Sequence, residues 1–123
     1  MKKSILKVVM SAFLGVLMMT SCGSSEDTND SSESMSKTEF KVYGNCGMCE
    51  TTIEGSLNGQ DGIGKADWDK ETKLITVTYN PETIDEDKIK AKIAEVGYDT
   101  DSHRAKESVY SKLPGCCQYT RPE

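Results

Sequence analysis

Residues 38–57 read TEFKVYGNCGMCETTIEGSL, and the change of period inside this stretch decides the fold. Phe40 and Val42 alternate with polar neighbours over Thr38–Tyr43, the mark of a half-buried strand. Gly44-Asn45-Cys46-Gly47 breaks that alternation. Cys49, Ile53 and Leu57 then recur at i, i+4 and i+8, one face of a helix. Asn58-Gly59 ends the helix, because glycine accepts the left-handed cap conformation at no steric cost. A Cys-Gly-Met-Cys motif therefore sits where a strand turns into a helix.

Downstream, the same two periods return. Ala66 and Trp68 alternate with Asp67 and Asp69, a second strand, and Lys70–Lys73 turns the chain. Ile75, Val77 and Tyr79 alternate with Thr76 and Thr78 in a third strand, closed by Asn80-Pro81. Thr83 or Asp85 caps a second helix with Ile89, Ile93 and Val96 on one face and Gly97 as its stop. Tyr98–Thr100 reads as a short fourth strand. The order βαββαβ implies an α+β, ferredoxin-like sandwich, an antiparallel four-stranded sheet with two helices on one face. Its expected core is Phe40, Val42, Ile53, Leu57, Trp68, Ile75, Val77, Ile89, Ile93 and Val96. At strand spacing, Trp68 reads as core rather than as a binding aromatic.

The cysteines carry the chemistry. At the start of a helix, unpaired backbone N–H groups and the positive dipole end favour thiolate over thiol. Cys46 and Cys49 can therefore converge as thiolates on one soft ion, Cu(I) or Zn(II) rather than Mg(II) or Ca(II). With Gly44, Cys46, Cys49 and Gly97-Tyr98 in these places, residues 37–101 resemble the heavy-metal-associated domain. That family includes copper chaperones, metal-ATPase modules and a periplasmic mercury-binding protein. The resemblance implies that Cys46 and Cys49 are the metal ligands and that Tyr98 lies beside the site without ligating. It also implies Cu(I) as cargo, with Zn(II) or Hg(II) as alternatives. The family pattern Gly-Met-x-Cys-x-x-Cys is one residue longer than Gly44-Asn45-Cys46 and buries its Met under the loop. Met48 is the residue available to plug that space from inside the motif.

Two other readings of the motif stand beside this one. Cys-Gly-Met-Cys also looks like a dithiol–disulfide redox site, although no Trp precedes it and the strand order differs from that fold. The other is structural: disulfides between Cys46 and Cys49, or from these to the C-terminal cysteines, in an oxidising compartment. Residues 102–123 form a C-terminal segment, with a short helix expected around Glu107–Lys112 and a stop at Pro114-Gly115. Its Cys116 and Cys117 are expected as an auxiliary soft-metal site, with disulfide pairing as the alternative. Adjacent Cα atoms 3.8 Å apart disfavour a bond between these two. His103 stands alone and reads as surface.

Upstream, residues 1–21 combine Lys2, Lys3 and Lys7 with an apolar run from Val8 to Met19 and small residues before Cys22. This is a secretory layout. Met19-Thr20-Ser21-Cys22 resembles the bacterial lipoprotein processing box, which implies a lipid on Cys22, a membrane anchor and a place in the cell envelope. Residues 22–36, rich in Ser, Asp and Glu, read as a flexible acidic tether. The 123 residues carry a formal charge of −5. The first 21 hold three of the 15 basic residues and none of the 20 acids, so their removal would leave −8. Such acidity argues against nucleic acid as a partner. It suits a basic surface on a metal transporter or on another metal-binding domain. No paired acids, phosphate loop or nucleophile elbow appears, so the expected activity is binding rather than catalysis.

Overall fold

The two hydrophobic periods of the sequence become strands and helices in the computed structural model, which describes residues 34–123. Strand β1 is Ser36–Lys41, helix α1 Gly47–Gly55, strand β2 Ile63–Trp68 and strand β3 Leu74–Tyr79. Helix α2 follows at Glu86–Glu95, then a short helix α3 at Glu107–Tyr110 and a 3₁₀ turn at Gly115–Cys117. The strands form one antiparallel sheet in the order β1-β3-β2, with Phe40 opposite Ile75 and Trp68 opposite Ile75 from the other side. Gly64 falls in a register irregularity between Ile63 and Lys65.

One sheet face is apolar and the other polar, as the period-2 pattern requires. Phe40, Ala66, Trp68, Ile75 and Val77 join Ile53 and Leu57 of the α1 segment and Ile89 and Ile93 of α2 in a single core cluster. Both helices therefore lie on the same face. The opposite face presents Lys37, Glu39, Lys65, Asp67, Thr76 and Thr78 to solvent. Trp68 is core: it is 2 % exposed, and its indole N–H donates to the Val42 carbonyl at 3.2 Å.

Local chemistry sets the ends of the elements. Asp85, not Thr83, caps α2, its carboxylate accepting from the Lys88 N–H at 2.8 Å. Gly97, at φ +105°, turns the chain out of α2. The Asn58 side chain both accepts from and donates to the backbone of Ala66, tying the loop after α1 to β2.

The fold departs from expectation in the fourth strand. Among the described residues the sheet has three strands, not four, and Tyr98–Thr100 contributes one isolated bridge between Val42 and Thr100. Tyr43 N–H to the Asp99 carbonyl (2.9 Å) and Asp101 N–H to the Lys41 carbonyl (3.2 Å) flank that bridge. The pairing stops there because Thr100 starts a tight turn. Its N–H donates to the His103 carbonyl, and its Oγ1 accepts from the N–H groups of Ser102 and His103. Val96, expected in the core, is only partly buried at the C-terminal end of α2.

Residues 102–123 pack onto the domain instead of trailing from it. Cys117 and Tyr119 belong to the core cluster. The Tyr119 hydroxyl accepts from the Asp99 N–H at 2.7 Å and donates to the Gly97 carbonyl at 2.9 Å. Its ring stacks between those of Tyr43 (6.5 Å between centroids) and Tyr98 (5.8 Å). Arg121 pairs with the fully buried Asp99 carboxylate through two bonds of 2.6 and 2.8 Å. Cys22, with the expected signal at 1–21 and almost all of the expected tether at 22–36, lies outside the described residues.

Candidate metal centre

The loop from Tyr43 to Cys46 delivers two sulfurs to the open end of α1. Cys46 is the N-cap residue of the helix, in extended conformation, and Cys49 stands one turn further on, fully buried. Their Sγ atoms are 3.5 Å apart, and the Asn45 N–H donates to the Cys49 sulfur at 3.3 Å. Cys46 is half-buried and reachable from solvent.

The start of the helix tunes the first thiol. The Cys49 N–H is the main influence lowering the Cys46 pKa to about 7, helped by the Cys49 side chain, the Met48 N–H and the Cys117 thiol against a smaller cost of burial. This influence is electrostatic, since no side-chain hydrogen bond of good geometry caps the helix. Near neutral pH a large share of Cys46 is therefore thiolate, the form that ligates metal.

The C-terminal segment brings two more thiols to the same place. Cys117 sits 3.8 Å from Cys46, and Cys116 lies 3.9 Å from Cys117, all measured between sulfurs. The sulfurs of Cys46, Cys116 and Cys117 all lie within 4.8 Å of one another. Among the described residues all four thiols, Cys46, Cys49, Cys116 and Cys117, are free. Burial pushes the Cys117 thiol up to about 12, so it keeps its proton until something displaces it.

Two near-site residues have contrasting places. Met48 does not plug the space under the loop: it is 54 % exposed, with its thioether 3.6 Å from the Cys116 sulfur. It stands on the outward side of the first helical turn, and the space beneath is already taken. A methyl group built on Gly44 would meet the Trp68 ring at 3.0 Å and the Cys49 Cβ at 3.2 Å. Tyr98 is fully buried, and its hydroxyl lacks a hydrogen-bond partner. Burial raises its pKa, and the neighbouring Cys117 and Cys49 thiols raise it further. An orphaned hydroxyl beside two sulfurs is a donor in place for thiolates.

The donor set suits a soft ion. Four sulfurs placed 2.3 Å from one Zn(II) lie about 3.8 Å apart, and three in a plane lie about 4.0 Å apart. Three of the sulfur pairs here, Cys46–Cys49, Cys46–Cys117 and Cys116–Cys117, lie 3.5–3.9 Å apart. Tyr119, Asp99 and Arg121, which hold the C-terminal segment against this site, had no signal in the periodicity. The one available hint was an aromatic residue two positions after a cysteine pair, in a chain with few apolar residues to spare.

The profile described as "Heavy-metal-associated domain" matches residues 40–99. Residues of this chain are 37 % identical over 62 positions to a copper-exporting P-type ATPase of Staphylococcus saprophyticus, covering 50 % of this chain and 8 % of that protein. They are 40 % identical over 53 positions to a zinc-transporting ATPase of Synechocystis, covering 43 % of this chain and 7 % of that one. The chain thus spans under a tenth of these relatives, each of which is far longer. Among solved structures, the CopZ metallochaperone superposes with a TM-score of 0.51 at 32 % identity, covering 53 % of this chain and 98 % of its own.

Proposed function

Because the chain belongs to the heavy-metal-associated domain family through residues 40–99, we propose that it binds Cu(I) through Cys46 and Cys49 for transfer or sequestration. The observation that carries this reading is the pair of sulfurs 3.5 Å apart at a helix start that holds Cys46 near pKa 7. An all-sulfur site of low coordination suits Cu(I) better than Zn(II), which takes four ligands in a tetrahedron. Zn(II) and Hg(II) are the alternative cargoes, and a zinc-transporting ATPase is among the relatives.

Cys46→Ser/Cys49→Ser should abolish tight Cu(I) binding in competition with a Cu(I) chelator, with the far-ultraviolet circular dichroism unchanged. Retained affinity at normal stoichiometry overturns the assignment. A dithiol redox protein would instead show disulfide turnover with a protein substrate and no metal dependence.

The same proposal places the protein at the cell envelope, anchored by a lipid on Cys22, with a metal transporter or another metal-binding domain as partner. Its support is the basic–apolar–small–Cys order of residues 1–22. Two or more acyl chains hold a protein to a membrane stably, where one does so only marginally. Cys22→Ser should leave the protein unprocessed or soluble in cell fractions, and unchanged membrane partitioning of a processed mutant would remove this part of the proposal.

A further inference from the structure

We propose that Cys116 and Cys117 share Cys46 with the Cys46–Cys49 pair and complete a three-thiolate position for the soft ion, which makes the protein a retaining site rather than a carrier. This rests on the reading that the Cys46–Cys49 pair takes up a soft metal. Handing over an ion between two-thiolate sites requires an open coordination position, into which an incoming partner places its own sulfur. Here the chain supplies two further sulfurs of its own beside Cys46.

The spacing fits. Two of the three edges, Cys46–Cys117 at 3.8 Å and Cys116–Cys117 at 3.9 Å, lie close to the about 4.0 Å edge of three sulfurs around one ion, and the third, Cys46–Cys116, lies within 4.8 Å. The sulfurs are also held in place. The 3₁₀ turn Gly115–Cys117 is closed by Cys117 N–H donating to the Pro114 carbonyl at 2.8 Å. Two residues on, the buried Tyr119 locks the segment to Gly97 and Asp99. Cys117 and Tyr119 thus sit as part of the core. A second observation points to a ligand: the Tyr98 hydroxyl is buried without a partner beside the Cys117 and Cys49 thiols. The exposed Met48 thioether, next to Cys116, adds a soft donor on the solvent side.

Passage from the pair to the trio forms two metal–sulfur bonds, to Cys116 and Cys117, and breaks the one to Cys49. Of the two protons that leave the new ligands, one passes to the Cys49 sulfur and the other to solvent, and the oxidation state of the ion is unchanged. No partner, oxidant or reductant takes part.

The test is X-ray absorption at the copper edge on the reduced full chain with one equivalent of Cu(I), paired with the rate at which excess chelator withdraws the ion. Wild type should show three sulfur ligands. Cys116→Ser/Cys117→Ser should show two and release Cu(I) faster by at least about tenfold, the lower end of what loss of an outer partner alone causes. Cys117 is buried, so the exposed single variant Cys116→Ser should also fall to two sulfurs without disturbing the core. Two sulfurs in wild type, three in Cys116→Ser, or equal release from wild type and the double variant overturns the inference. Cys46→Ser/Cys49→Ser separates the two levels. If it binds as tightly as wild type, the underlying reading falls. If it loses Cu(I) while wild type is two-coordinate, only the three-thiolate position falls.

Discussion

Cys46 differs from Cys117 by one physical circumstance. One sulfur faces the N–H groups at the start of α1, and the other is enclosed by side chains. Alkylation of the metal-free protein should separate them. Cys46 should react with a midpoint near pH 7, rising as pH rises because the thiolate is the nucleophile, while Cys117 stays protected up to strongly alkaline pH. Peptide mass spectrometry after timed iodoacetamide exposure reads this directly, and equal labelling at neutral pH would contradict it. Gly44 tests the packing beneath the loop. A methyl group there would press on the Trp68 ring and the Cys49 Cβ at 3.0–3.2 Å. Gly44→Ala should destabilise by about 1–3 kcal/mol, seen as a lower urea midpoint. An unchanged midpoint would mean that the indole yields without cost.

At the scale of elements, the C-terminal segment is held by Tyr119 and Arg121. Tyr119→Phe strips a partner from the Asp99 N–H and the Gly97 carbonyl, both in a buried environment, and should cost about 1–3 kcal/mol in chemical denaturation. Asp99 has a consequence for pH. Burial raises its pKa, but the Arg121 guanidinium and the Ala105 N–H outweigh burial and hold it below the ordinary value of 3.8. A depressed folded pKa contributes stability above the unfolded value and loses it as pH falls through the folded one. Acid should therefore weaken this clasp only below about pH 4. Arg121→Ala leaves a buried carboxylate unpaired and should cost about 3–5 kcal/mol at pH 7. Its deficit should shrink in acid, as the buried Asp99 carboxylate takes up its proton. A deficit independent of pH would show that the arginine acts by packing alone.

For the whole molecule, a ferredoxin-like domain of this size has a thin core, and the C-terminal segment thickens it. Deleting residues 102–123 should lower stability by at least about 2 kcal/mol from the lost burial of Tyr119 and Cys117. Thermal unfolding followed by circular dichroism measures this, and an unaltered transition would mean that the segment is ornamental to the fold. Much was legible before any coordinates. Phe40, Ile53, Ile75, Val77, Ile89 and Ile93 announced strands and helices because burying one face demands a period of 2 or 3.6. Cys46 and Cys49 announced a thiol pair because their corner is local, built from adjacent residues and the N–H groups of the next turn. Local hydrogen bonds, by contrast, cut the fourth strand to one bridge, since the Thr100 side chain competes for the backbone that pairing needs. Met48 faces out, and it is Trp68, from another strand, that lies against Gly44 beneath the loop. The approach of Cys117 to Cys46 is a contact across 71 positions. No periodicity encodes it, because it depends on how Tyr119, Asp99 and Arg121 close over one another in three dimensions.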